Sequence, residues 1–262
     1  MKHLEKNIFS VKYTPKRIIS LVPSQTELLF DLGLEKEVIG ITKFCIHPVE
    51  ARKEKKIVGG TKMIKIDKIK ALQPDIILCN KEENTKEIVE LCQEIAPTHV
   101  SDLYTLDDAR NLIEEYGALF SKEESANNIL QKLDSEYNSF QSYIADKPIL
   151  TAAYFIWKDP WMVAANNTFI NHMLALNKYE NTYQHLTRYP EVTLNKIHES
   201  GNPDLIFLSS EPYPFKEKHI DEIKEYAPNA KILLVDGELF SWYGSRLLHS
   251  FEYFKSLREL IE

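Results

Sequence analysis

Two rhythms of apolar residues alternate along the chain. Short apolar runs at residues 18–22, 38–42, 76–79, 205–208 and 232–235 are bounded by Pro, Asp, Asn or Gly, and they read as buried strands. Between them apolar residues recur every three or four positions, the period of a helix packed on one side. That rhythm predicts helices at 25–32, 66–72, 85–95, 107–120, 167–176, 194–200, 220–226 and 246–261. The longest such segment is 121–145. Ala126, Leu130, Leu133, Tyr137, Phe140 and Ile144 fall on one face of it, no Gly or Pro interrupts it, and Lys147-Pro148 stops it. Ser121 and Glu124 have capping-box spacing at its start. At ~1.5 Å per residue this helix is roughly 37 Å long, enough to act as a strut between two lobes.

An internal repeat supports two lobes. Asp67-Lys68-Ile69 followed by Pro74-Asp75-Ile76-Ile77-Leu78 matches Asn195-Lys196-Ile197 followed by Pro203-Asp204-Leu205-Ile206-Phe207. Glu94-Ile95-Ala96-Pro97 likewise matches Glu225-Tyr226-Ala227-Pro228, about 130 residues further on in both cases. Strands alternating with helices predict the α/β class with parallel sheets. The expected organisation is an N-terminal α/β lobe over 1–120, a linking helix over 121–146 and a C-terminal α/β lobe over 147–262.

Composition narrows the partners. The chain has 262 residues, 44% of them hydrophobic and 27% charged, enough for two lobes with real cores. A net charge of −7 argues against a nucleic-acid partner, whose phosphates call for a basic face. No apolar run approaches the ~20 residues that cross a bilayer. Residues 1–13 carry charges throughout and no apolar core, so no secretory signal is read there. The three cysteines, Cys45, Cys79 and Cys92, have no regular spacing and no C-x-x-C, which argues against a disulfide framework.

Candidate chemistry gathers where strands end. Ser24 and Glu27 have capping-box spacing after the first strand, and a helix N-terminus at a strand end suits an anion or a ligand carbonyl. Residues 43–48 place Lys43, Phe44, Cys45 and His47 in one loop. Cys45 and His47 are metal-ligand types, but two are too few for a closed zinc site, so no metal site is predicted. Residues 57–61, Ile-Val-Gly-Gly-Thr, form a glycine turn without the Gly-Lys-Ser/Thr of a phosphate loop. Residues 80–84 follow a strand at the end where open α/β sheets bind ligands. Phe44, Trp157, Trp161, Trp242 and Tyr243 can wall a large flat ligand, with Trp161 expected in the core, and Lys43, His47, Lys81 and Arg246 can anchor it. A hydrolytic triad of Ser24, His47 and Glu27 lacks the G-x-S-x-G elbow, and neither G-x-G-x-x-G nor H-E-x-x-H occurs, so an enzyme is the least favoured alternative.

Arg17-Ile18-Ile19-Ser20-Leu21-Val22-Pro23-Ser24-Gln25-Thr26-Glu27 resembles the opening of the class III, helical-backbone solute-binding proteins of ABC importers, which receive vitamin B12 and iron-siderophores. Val58-Gly59-Gly60, Leu72-Gln73-Pro74-Asp75 and Trp242-Tyr243-Gly244-Ser245-Arg246 carry the same resemblance, which runs from about Lys16 to Leu257 and is nearest the cobalamin branch. It implies two Rossmann-like lobes joined by one long helix, no enzymatic activity and no intrinsic cofactor. The ligand would be a metal chelate (a corrinoid, haem or an iron-siderophore) in a cleft between the lobes. It further implies ligand contacts at Phe44, Lys62, Asn80, Trp157 and Trp242, with Asn80 standing where the family often has tryptophan. The importer permease would dock on acidic residues, here Asp67 in the first lobe. The second position is the uncharged Asn195, leaving Glu191 or Glu199 to substitute. A monomeric, periplasmic or cell-surface protein follows. The alternative, in keeping with the unread signal, is a cytoplasmic carrier or sensor of the same ligands.

Overall fold

The repeated Pro-Asp pairs do the same work twice. Asp75 accepts backbone N–H bonds from Lys16 at 2.7 Å and Arg17 at 2.9 Å, just ahead of strand β1 (Ile18–Ser20). Asp204 accepts from the Thr151 N–H at 2.8 Å and the Thr151 hydroxyl at 2.7 Å. Each carboxylate thus ties the start of one strand to the start of its parallel neighbour. A computed structural model of the chain describes Phe9 and residues 11–262; most of the charged leader 1–13 lies outside the described residues.

After β1 the first half continues with α1 (Pro23–Asp31), β2 (Val38–Ile41), α2 (Ala51–Glu54), β3 (Lys56–Ile57) and α3 (Ile66–Leu72). Then come β4 (Ile76–Asn80), α4 (Lys86–Gln93), β5 (Thr98–Ser101), α5 (Leu106–Leu119) and α6 (Glu123–Ile144). The second half has β6 (Leu150–Trp157), β7 (Met162–Val163), α7 (Phe169–Leu176), β8 (Tyr179–Asn181) and a 3-10 helix at Leu194–Ser200. It ends with β9 (Leu205–Ser209), α8 (Glu217–Lys224), β10 (Lys231–Val235), α9 (Gly237–Ser241) and α10 (Leu247–Ile261).

The chain is of the α/β class and forms two compact units. One runs to Asp102 and takes in Arg110–Gln131; the other comprises Leu103–Ala109 and Lys132–Glu262. Helix α6 begins in the first unit and ends in the second.

The first unit holds a wholly parallel sheet in the order β3-β2-β1-β4-β5. Its central strands are buried along their whole length, as parallel strands with both faces covered are. Ile19, Val58, Ile69, Ile77, Cys79, Ile88 and Cys92 pack in one cluster of its core. In the second unit β10-β9-β6 are parallel, and the eight residues of β6 are long enough to take two strands on their other edge. Parallel β8 pairs at Leu150–Ala152 and antiparallel β7 at Phe155–Trp157. The order β8-β6-β9-β10 therefore repeats β2-β1-β4-β5, which is the duplication seen in the sequence.

Two expected caps do not form. Helix α1 starts at Pro23 with Val22 as N-cap and no side-chain cap bond. Proline suits the first helical position because it lacks the N–H that would go unpaired, so Ser24 sits inside the helix rather than ahead of it. Ser121 lies outside α6 with φ of +54°, and its hydroxyl pairs with that of Thr14 at 3.0 Å. The buried stripe of α6 is Ala126, Ile129, Leu133, Phe140 and Ile144, with Leu130 and Tyr137 half-buried beside it.

Candidate ligand-binding surfaces

In the first unit the chain leaves each parallel strand at the same sheet edge, where open α/β sheets bind ligands. The loop after β2 and the glycine turn after β3 are joined there. Lys43 N–H donates to the Gly59 carbonyl at 2.8 Å, and Gly60 N–H to that of Met63 at 2.7 Å. Gly59 has φ of +133°, and a Cβ there would lie 2.5 Å from the Met63 oxygen, so only glycine fits the turn. A Cβ on Gly60 would come within 3.1 Å of the Phe44 ring. Phe44 therefore rests one edge on a bare backbone while 49% of it stays exposed. The Lys43 ammonium stands 4.9 Å from its centroid.

The turn after β4 closes on the same loops. Asn80 is 1% exposed and its amide is fully engaged. Its Nδ2 donates to the Ser101 carbonyl and hydroxyl, and its Oδ1 accepts from the N–H groups of Glu82 and Glu83. The residue expected to touch a ligand thus shapes the turn instead. Asn84 donates to the Thr61 carbonyl at 3.0 Å, and the Lys62 ammonium donates to that of Glu82. Burial raises the Glu83 carboxyl above the usual carboxylate range, against the pull of nearby Lys62 and a hydrogen bond with Thr61.

The remaining predicted residues of this unit are placed as follows. Ser24 is buried, Lys43 and Lys62 are exposed, and His47 is half-buried in its loop. Lys81 is exposed and pairs with Asp102 at 2.7 Å. Cys45 is a poor metal ligand here. Burial pushes its thiol up, and its sulfur lies 3.1 Å and 3.2 Å from the hydroxyls of Thr26 and Thr42. Among the described residues no three His, Cys, Asp or Glu gather to hold a metal.

In the second unit the segment 211–213 joins two aromatic groups. Trp157, at the end of β6 and 39% exposed, meets Tyr213 edge-on at 5.6 Å. Glu211 accepts from the Trp242 indole N–H at 2.8 Å and the Ser241 hydroxyl at 2.7 Å. The Arg246 guanidinium lies 5.5 Å from the Trp242 centroid and 3.8 Å from Glu238. Trp242 and Tyr243 are buried, at 7% and 6% exposure, so both rings contribute packing as well as any ligand contact. Trp161 is core-like, as expected: it stacks on Phe215 at 5.8 Å with ring planes 11° apart. Sequence reading missed Gly60, Glu211 and Tyr213. The glycine pair was the one signal available. Nothing in the spacing marks Glu211 as the partner of an indole.

The docking candidates are all at the surface. Asp67 is exposed in the first turn of α3, Asn195 and Glu199 in the 3-10 helix, and Glu191 ahead of it. Glu199 pairs with Lys196 at 3.5 Å.

A model of the periplasmic binding protein family matches residues 18–229. The chain belongs to the periplasmic binding protein family. Members of this family bind solutes and are not enzymes. A vitamin B12-binding protein of Vibrio parahaemolyticus is 31% identical over 74% of this chain and 70% of its own length. An ABC transporter substrate-binding lipoprotein of Bacillus subtilis is 25% identical over 93% of this chain and 80% of its own. Among solved structures, a periplasmic haem-binding protein in complex with two haems superposes with a TM-score of 0.80 at 16% identity, covering 92% of this chain and 98% of that one. That likeness confirms the two-lobed α/β fold of this periplasmic binding protein. No helix among its described residues is long and apolar enough to cross a membrane.

Proposed function

We propose that this periplasmic binding protein carries a metal chelate of the tetrapyrrole kind, a corrinoid or haem, and hands it to the permease of an ABC importer. The observation that carries the reading is Phe44, a half-exposed ring braced on Gly60 with a lysine ammonium on its face. Such a ring offers a flat ligand an apolar face to stack on, with a cation beside it. The relatives support the same class, since one is named for vitamin B12 and a structural neighbour holds haem. The metal compound is cargo here, not a resident cofactor.

The proposed contacts are Ser24, Lys43, Phe44, His47, Lys62 and Lys81 on the first unit, and Trp157, Trp242, Tyr243 and Arg246 on the second. Asn80 acts indirectly by holding the 80–84 turn. By analogy with relatives named as a lipoprotein and as periplasmic proteins, the protein works outside the cytoplasm, in a periplasm or anchored at the cell surface. Calorimetry and absorbance titration with cyanocobalamin, haemin and a ferric siderophore test the reading. Binding of cyanocobalamin or haemin at one equivalent with a Kd of about 1 µM or tighter supports it. Binding of the siderophore alone would shift the cargo to the other branch of the family, and binding of none would reject a chelate carrier.

A further inference from the structure

Two of the three cysteines lie side by side. Cys79 stands in β4 and Cys92 near the end of α4; both are completely buried in the apolar cluster with Ile19, Ile77 and Ile88. Their thiols hydrogen-bond each other. All three cysteines are free thiols in the structure. The third, Cys45, is occupied by Thr26 and Thr42 and sits in a different pair of contacts.

From this contact we infer that Cys79 and Cys92 are a disulfide-forming pair, which closes when the chain folds in the presence of a disulfide oxidant. The site is intramolecular, and Cys45 stays a thiol. Two S–H bonds are lost and one S–S bond forms. The oxidant's own disulfide takes up the two electrons and two protons and leaves as two thiols. Folding is the moment for the reaction. In the finished core both sulfurs are shielded, and buried thiols exchange poorly with reagents in solution. The hydrogen bond from Cys79 and burial hold the Cys79 thiol protonated once folded. Extracytoplasmic compartments supply such oxidants.

The bond would matter to the ligand surface. The loop it closes runs from the end of β4 through the 80–84 turn and along α4, so the bond would tie the strand end that opens that turn to the far end of the helix that follows it. A loop of this size stabilises mainly by restricting the unfolded chain.

The test is a thiol count. The reduced, denatured chain is refolded in a reduced/oxidised glutathione buffer, and separately in dithiothreitol. Thiols are then titrated in denaturant and the peptides mapped without reduction. The expected result is one remaining thiol, an intact mass about 2 Da lower, and a peptide linking Cys79 to Cys92. The oxidised form should melt about 5–10 °C above the reduced one. A Cys45→Ser variant refolded in parallel should reach zero thiols. The same count on chain secreted through an oxidising compartment covers poor refolding in vitro. Three free thiols in the folded oxidised sample, glutathione adducts on Cys79 or Cys92, or a link through Cys45 would each overturn the assignment.

Discussion

Phe44 and Trp242 are both aromatic candidates for the ligand, yet their surroundings separate their roles. Phe44 is half exposed, with the Gly60 backbone at its edge and the Lys43 ammonium over its face, so its removal costs the fold little. Phe44→Ala should weaken cyanocobalamin or haemin binding about tenfold or more, in line with ~1.5–3 kcal/mol for a buried ring, and leave the ligand-free melting temperature within a degree or two. Trp242 is nearly buried and its N–H is committed to Glu211. Trp242→Ala should lower melting outright, by the ~3–5 kcal/mol typical of a large core truncation. Ligand-free melts of both variants check the contrast; a fall in the Phe44 variant as large as in the Trp242 variant would make Phe44 a core residue. Glu83 offers a pH test. Its raised carboxyl pKa means that the folded state favours the protonated form, so its favourable contribution is present below the ordinary glutamate range and is lost as pH rises through the folded value. Glu83→Gln should therefore raise melting at pH 7 relative to wild type and do little at pH 4. A wild-type advantage at pH 7 would show that the pairing with Lys62 outweighs desolvation.

Among the elements, what could be read from the chain was what depends on local period. The strands at 76–79 and 205–208 and the stripe of α6 follow from apolar spacing alone. Gly33 closes α1 as read, with φ of +74° and its N–H on the Phe30 carbonyl. What could not be read depends on distant partners. Strand β8 is Tyr-Glu-Asn, three residues with no apolar run, and it exists because β6 has a free stretch of edge at Leu150–Ala152. Both capping boxes had the right spacing, yet the backbone on either side decided otherwise. The aromatic residues of the site could be listed from sequence, but which of them are exposed could not, since exposure depends on what packs over them. Helix α10 shows the same dependence. Arg258, completely buried, donates to the Pro148 carbonyl at 2.6 Å and to Glu262 at 3.0 Å, and so locks the last turn of α10 onto the start of β6. Arg258→Met keeps much of the volume but strips the Pro148 carbonyl of its donor, a loss of about 1–3 kcal/mol. Melting should fall by roughly 3–10 °C at pH 7. Hydrogen bonds from Lys147 and then Arg258 hold the Glu262 carboxyl below its usual range. Its contribution is present above the ordinary carboxylate range and lost as pH falls, so the deficit of the variant should shrink in acid. An equal deficit at pH 7 and pH 3.5 would remove Glu262 from the account.

At the scale of the whole molecule, a duplicated fold raises the question of whether both halves serve the importer equally. The repeat places Asp67 and Asn195 at matching positions, each on an exposed helical segment that leads into a Pro-Asp strand. The sheets share the order of four strands, but Asp67 stands on an α-helix and Asn195 on a 3-10 helix. Only Asp67 is charged. A permease surface that recognises acidic groups would gain attraction at Asp67 and nothing at Asn195 itself, where Glu199 is already paired with Lys196. Reversing the charge at Asp67 replaces attraction with repulsion, while a lysine at position 195 adds repulsion where no attraction was lost. Asp67→Lys should therefore depress ligand uptake in cells more than Asn195→Lys does, by about tenfold for one close charge pair worth ~1.4 kcal/mol. The substitution also places a cation in the first turn of α3, which costs a few tenths of a kcal/mol in the fold, so melts of the purified variants must show both to be folded. Asn195→Glu extends the test, because restoring the missing charge should raise uptake if the second position docks at all. Equal losses from the two lysine variants would overturn the asymmetry, and unchanged uptake in both, with no gain from Asn195→Glu, would mean that the permease reads neither position and that Glu191 is the residue to reverse next.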